Sequence, residues 1–185
     1  MSIAEILILS VGLAMDACAI SVCKGLSVRR VMLRHAFCVG LYFGISQGLM
    51  PLIGYLLGTN FSSLIVSVDH WIAFSLLSVL GLNMIKESFE EAECQNPSFS
   101  VKVMLPMAIA TSIDALAIGI SFAFLNVAVI PAVCSIAIIT FALSVAGIYV
   151  GNIFGAKYKS KAEMVGGLVL VCMGIKILFE HLGIL

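Results

Sequence analysis

Six long apolar runs, separated by short polar connectors, set the pattern of this chain. The runs fall at roughly 3–23, 36–58, 66–87, 103–125, 129–153 and 163–183, and about twenty apolar residues in a helix span the ~30 Å of a bilayer's hydrocarbon. None alternates polar and apolar residues with period two, as the strands of a membrane barrel do. Lipid admits only helices and closed barrels as spanning structures. The pattern therefore predicts an all-α integral membrane protein with six transmembrane helices. The first run has neither a positively charged lead-in nor a small-residue cleavage site and reads as a retained helix. Asn60, with Ser62 and Ser63, marks one connector, Pro97 a second and Asn126 a third. The longest polar stretch, Lys86 to Lys102, contains Glu87, Glu90, Glu91 and Glu93 and joins two halves.

Composition points the same way. The chain is 62% hydrophobic and 11% charged, less than half the roughly 25% with which a soluble domain dresses its surface. Ten basic residues balance ten acidic ones, and no basic run with interleaved aromatics is present, which excludes a nucleic-acid partner. Cysteines at 18, 23, 38, 94, 134 and 172 show no CxxC or CxxH spacing. All but Cys94 fall in apolar runs, where a thiol packs as a small hydrophobe.

Charge does settle orientation, because Lys and Arg collect in cytoplasmic loops. The first loop holds Lys24, Arg29, Arg30 and Arg34, the third Lys86 and Lys102, the fifth Lys157, Lys159 and Lys161. Only Lys176 falls on the other side. Loops one, three and five are thus expected in the cytoplasm, with both termini outside.

The halves also match each other. Met15-Asp16-Ala17-Cys18-Ala19-Ile20 aligns with Ile113-Asp114-Ala115-Leu116-Ala117-Ile118, 98 positions on. Gly54-Tyr55-Leu56-Leu57-Gly58 aligns with Gly151-Asn152-Ile153-Phe154-Gly155 at 97, and Gly81 and Glu87 align with Gly174 and Glu180 at 93. Three helices per half make the second half enter from the opposite side. The expected organisation is two inverted three-helix repeats, 1–89 and 103–185, joined by a cytoplasmic linker at 90–102. Transporters use that arrangement to place a site near the midplane between the repeats.

Asp16 lies in the inner part of the first helix and Asp114 near the middle of the fourth. A charge at such depth costs about 2.5–3.5 kcal/mol on insertion scales, so both are expected to face protein or a wet cavity. At equivalent positions of the two repeats they can face each other and neutralise one divalent cation. Thr111 shares a helical face with Asp114, and the small residues Gly12 and Ala19 flank Asp16. Cys18 points away from Asp16, while Cys23 lies about 10 Å farther along the axis. An oxygen set suits Mg, Mn or Ca, whereas thiolates would suit softer ions. Gln47, just before Met50-Pro51, is the remaining polar candidate, because a proline frees a carbonyl one turn earlier. Its repeat counterpart is Ser144. An interhelical hydrogen bond is the competing reading for Gln47, and a shared-proton carboxyl pair is the competing one for the aspartates. Glu87 and Glu180 fall near opposite faces as gate or interfacial residues. Asp69-His70-Trp71 reads as a helix cap with an interfacial anchor.

The segments Met15-Asp16-Ala17 with Lys24-Gly25, Pro51-Leu52-Ile53-Gly54, His70-Trp71-Ile72-Ala73-Phe74, Ala110-Thr111-Ser112-Ile113-Asp114-Ala115 and Gly166-Gly167-Leu168-Val169-Leu170 resemble the MntP-type manganese efflux pumps of bacteria. The resemblance covers nearly the whole chain, and its two Asp-Ala segments are the most specific. It implies a lysine-exporter-like fold and export of Mn²⁺ from the cytoplasm across a bacterial inner membrane, with Asp16 and Asp114 as the acidic positions. Some members have Glu where this chain has Gln47. No enzyme activity or cofactor is expected, since the metal is cargo, and protons are a candidate coupling ion.

Two alternatives stand beside that reading. One is export of another cargo, such as Cd²⁺ or a small amino acid; the oxygen-rich site disfavours the first, and the lack of a membrane-embedded cation disfavours the second. The other is an intramembrane aspartyl protease, which also needs two aspartates. Those enzymes carry Tyr-Asp and Gly-x-Gly-Asp, where this chain has Met15-Asp16 and Ser112-Ile113-Asp114.

Overall fold

The computed structural model describes residues 3–28, 30–61, 98–125 and 127–154, with 74–75, 78–79, 82–83, 85–86, 89, 161, 164–165, 167–169, 171–172, 175–176 and 178–179. The described residues from 74 to 86 and from 161 to 179 are all helical, and there is no strand among the described residues. The continuous parts form α1 (Ile3–Leu26), α2 (Leu33–Phe61), α3 (Val101–Thr111), α4 (Ile113–Phe124) and α5 (Val129–Phe154). Among the described residues α1, α2 and α5 are each long and apolar enough to cross a membrane, and α3 with α4 makes a fourth candidate span. Glu87, Glu180, Asp69, His70, Trp71 and Cys94 lie outside the described residues.

The fourth span departs from the expected single helix over 103–125: it breaks at Ser112 and bends by 40°. The cause is local. Pro106 already removes one backbone donor from α3. Thr111 Oγ1 then donates to the Met107 carbonyl (2.8 Å) and Ser112 Oγ to the Ala108 carbonyl (2.6 Å), competing with the backbone for the last turn's acceptors. Ser112 N–H closes a tighter turn onto Ile109 at 3.0 Å, and Ser112 itself sits at φ −103°, ψ 6°.

The first helix runs one turn beyond its expected end. Asn152 of α5 explains where it stops, since its Nδ2 donates to the Gly25 and Val28 carbonyls at 3.1 and 2.7 Å and so satisfies acceptors that a helix end leaves open. Lys24 in that last turn is buried, although the charge pattern alone places it in a loop. Its Nζ donates to the Ser98 carbonyl at 3.1 Å and stands 5.8 Å from the Phe99 ring centroid, and His35 stacks on the same ring with centroids 4.3 Å apart.

α1 packs chiefly along α5, and α2 lies on both α4 and α5. α1 and α5 run parallel: Ser10 Oγ meets Ser135 Oγ at 3.3 Å, and Asn152 meets Gly25 nearer the other end. α2 and α5 run antiparallel, with Gly40 against Val145 and Gly48 against Ala137. Apolar burial drives no association in lipid, so close backbone approach must hold these helices together. Glycine provides it: a Cβ at Gly151 would collide with the Val22 carbonyl, and one at Gly54 with the Leu116 carbonyl. Beside the glycines, α2 exposes Leu33, Phe37, Leu41, Ile45 and Leu49 one turn apart as an apolar stripe, with Phe37 edge-on to Phe141 of α5. At the start of α1, Glu5 forms an ion pair with Lys176.

Two apolar clusters fill the interior. Leu9, Leu13, Ala115, Ile118, Phe122 and Ile136 form one, and Ala17, Ala36, Phe43, Met104, Ala108 and Ile148 the other. Asp16 falls between Leu13 and Ala17, and Asp114 between Ala108 and Ala115. Both aspartates thus lie where one cluster gives way to the other.

Candidate cation site

Asp16 sits just past the middle of α1, half-buried. Its Oδ1 accepts the Ala17 N–H at 2.6 Å. Gln47, fully buried on α2, donates through Nε2 to both Asp16 oxygens at 3.4 Å and to the Thr111 carbonyl at 3.1 Å. One amide group therefore ties α1 and α2 to the end of α3. This is the interhelical hydrogen bond that sequence reasoning weighed for Gln47, made to the residues it assigned to the site.

Asp114 lies three residues past Thr111, across the break, in the first turn of α4. A carboxylate there faces the positive end of the helix dipole, which offsets part of the cost of holding a charge in the bilayer. Ala115 N–H, whose partner in an unbroken helix would be the Thr111 carbonyl, donates to Asp114 Oδ1 at 2.8 Å. The break thus hands the Thr111 carbonyl to Gln47 and the Ala115 amide to Asp114. It also changes how Thr111 takes part: the hydroxyl is committed to Met107 and Ala108, and the carbonyl is what faces Gln47. The two aspartates share one local geometry, each accepting from the amide of the alanine that follows it.

Among the described residues no three His, Cys, Asp or Glu side chains cluster as a metal site would require. Two carboxylates and uncharged oxygens are the donors the chain offers here. Gln47 Oε1 is buried and has no hydrogen-bond partner among the described residues. Rotating the amide by half a turn would aim this oxygen where Nε2 now points. Cys18 lies against Gly147 of α5.

Sequence reasoning did not find the break at Ser112, although Pro106 followed by Thr111-Ser112 was its signal. It also took Lys24 for a loop charge. Nothing local to Lys24 marks it as buried, because Ser98 and Phe99 reach it from 74 positions away.

Apolar spans and a broken helix, with carboxylates at Asp16 and Asp114 along them, define a multi-pass α-helical membrane protein. The family described as "Putative manganese efflux pump" matches residues 30–178, and the chain belongs to it. A protein named "Putative manganese efflux pump MntP" from Acetivibrio thermocellus is 57% identical, covering 100% of this chain and 94% of its own length. Its namesake from Desulfitobacterium hafniense is 54% identical over 98% and 96%, and that from Bifidobacterium adolescentis 45% over 98% and 98%. No solved structure matches the chain.

Proposed function

We propose that this protein exports Mn²⁺ from the cytoplasm, with Asp16 and Asp114 as the charged ligands. Gln47 and the Thr111 carbonyl act as neutral oxygen partners. The observation that carries the reading is the Gln47 amide, which joins the Asp16 carboxylate to the carbonyl exposed at a helix break, three residues from Asp114. With the cation absent, the Nε2 donor serves the carboxylate; with the cation bound, the amide turns and offers Oε1. Two carboxylates cancel the charge of one divalent ion, and amide, carbonyl and water oxygens suit manganese. Membership of the manganese efflux family and the names of its relatives supply the choice of metal.

The repeat organisation, 1–89 and 103–185 about a cytoplasmic linker at 90–102, draws support from the contacts between α2 and α5. Applying the offset of 97 to Gly40 and Val145 gives Ala137 and Gly48, which also touch. Gly44 packs on Phe141, its own counterpart. With the offset of 98 that relates the Asp16 and Asp114 segments applied to Val22, and 97 to Gly151, the contact of Val22 with Gly151 turns into Ile120 against Gly54, where an added Cβ would lie 3.1 Å from Ile120 N. Reciprocal contacts of this kind are what a two-fold axis between α2 and α5 produces. Rocking about that axis would open either apolar cluster while keeping the other closed, exposing the site to one side at a time. Protonation of the aspartates on the outer side would release the metal, which couples export to proton entry. The protein works in the inner membrane, and the charge pattern supports both termini lying outside the cytoplasm.

The test is cellular manganese in a manganese-sensitive bacterial strain. Wild-type protein is expected to lower it, and Asp16→Asn and Asp114→Asn to abolish the effect at equal expression. Equal protection by all three proteins would overturn the site.

A further inference from the structure

Two hydroxyls of α5 behave unlike the other buried hydroxyls among the described residues. Ser10, Ser21, Thr111, Ser112 and Ser121 each donate to the carbonyl one turn earlier, at 2.6–3.2 Å. That is the ordinary way for a helix to satisfy a hydroxyl away from water. Thr140 and Ser144 are fully buried, and neither hydroxyl has a hydrogen-bond partner among the described residues. Standing four residues apart, they share one face of α5. Gln47 Oε1 is the third buried oxygen in this condition.

These oxygens lie at one depth. Along α1 and α5, Ser10 meets Ser135, and Cys18 with Ser21 meets Gly147. Thr140 and Ser144 fall between those contacts, level with the stretch of α1 that carries Asp16. Along α2 and α5, Gly44 meets Ala137 and Phe141, and Gly48 meets Ala137. Gln47, beside Gly48, is therefore level with Ala137, one turn before Thr140. Asp16 and the three oxygens occupy a slab about two turns, or ~11 Å, deep.

We propose that Thr140 and Ser144 form a neutral oxygen station for the cation, beside the carboxylates and completed by Gln47 Oε1. This rests on the proposed function and deepens it. A hard divalent ion surrenders water reluctantly and needs about six oxygens around it. Asp16 and Asp114 supply the charge, and the hydroxyls stand in for water ligands the ion sheds on entering the apolar interior. Each hydroxyl can turn its lone pair to the ion and its proton to a retained water. Neutral donors add coordination without added charge, so the ion is held and can still leave. A hydroxyl bonded back to its own helix would have its proton committed, and these two are not.

The experiment uses the full chain in lipid vesicles, with Mn²⁺ binding followed by electron paramagnetic resonance and Mn²⁺ uptake measured beside it. The paired variant Thr140→Val with Ser144→Ala is expected to bind Mn²⁺ about tenfold to a hundredfold more weakly. Its thermal unfolding midpoint should be unchanged or higher, because an unsatisfied hydroxyl has been removed. Thr140→Ser with Ser144→Thr, which keeps both hydroxyls, should restore binding. Unchanged affinity and uptake in the first variant, with wild type active, overturn the station and leave the proposed function standing. A lower midpoint with weakened binding assigns the hydroxyls to packing and also overturns it. Wild-type protein that neither binds nor carries Mn²⁺ overturns the manganese reading itself.

Discussion

At Asp16 the carboxylate takes donors of two kinds, the Ala17 amide of its own helix and the Gln47 side chain of α2. The magnitudes separate structure from function at Gln47. A side-chain hydrogen bond between membrane helices is worth about 0.6 kcal/mol on average, so Gln47→Leu should fold and insert. Its loss of transport should be far larger than so small a destabilisation explains, since the proposed neutral ligand goes with the amide. Gln47→Glu keeps the length and offers an oxygen, and is expected to retain much more efflux. Cellular manganese at matched protein levels checks both, and more efflux from the Leu variant than from the Glu variant would contradict the role given to Gln47. Asp16, Asp114 and Gln47 were legible in the sequence because each interrupts an apolar run, where a polar group has to be explained. Thr140 was not, and Ser144 stood out only as the repeat counterpart of Gln47, because membrane helices usually hide hydroxyls on their own carbonyls, and only the structure shows these two doing otherwise.

Between elements, glycine decides the distances. A Cβ at Gly151 would meet the Val22 carbonyl and Cα at contact distances no packed side chain tolerates. Because the obstacle is backbone, it cannot rotate away, and α1 would have to move off α5. Gly151→Ala is therefore expected to destabilise by about 1–3 kcal/mol, the usual range for overpacking, and to lower the unfolding midpoint in detergent. Ala142→Leu and Ala146→Leu, on the exposed side of the same helix, should leave that midpoint almost unchanged. A midpoint for Gly151→Ala equal to wild type would show that this contact is looser than described. The long spans were readable from the sequence to within a turn, since hydrocarbon thickness fixes their length. The break at Ser112 was harder to read because each of its components is tolerated singly in a membrane helix. Pro106 costs α3 one donor, and two successive hydroxyls then compete for the carbonyls of the final turn. Only their sum stops the helix, and it does so just before Asp114, at the edge of the site.

For the molecule as a whole, the exchange of contacts and the charge pattern make the same demand. If α2 and α5 are related by an axis in the membrane plane, one runs outward while the other runs inward, as their antiparallel contacts require. In the proposed orientation the start of α2 and the start of α3 lie in the cytoplasm, and the end of α2 outside. The ion pair between Glu5 and Lys176 brings the first turn of α1 beside the last stretch of the chain, as termini sharing one face would have it. Exposed positions at these ends make the orientation testable. In a variant with its six cysteines replaced, Asn60→Cys should react with a membrane-impermeant maleimide added to intact cells. Arg30→Cys and Ser100→Cys should react only after the membrane is opened. The reverse pattern would invert the protein, and the aspartates would then face the cytoplasm in the state assigned to release. Labelling of Asn60→Cys and Ser100→Cys from outside, with Arg30→Cys still protected, would remove the membrane crossing between α2 and α3, and with it the odd number of spans per half on which inversion depends.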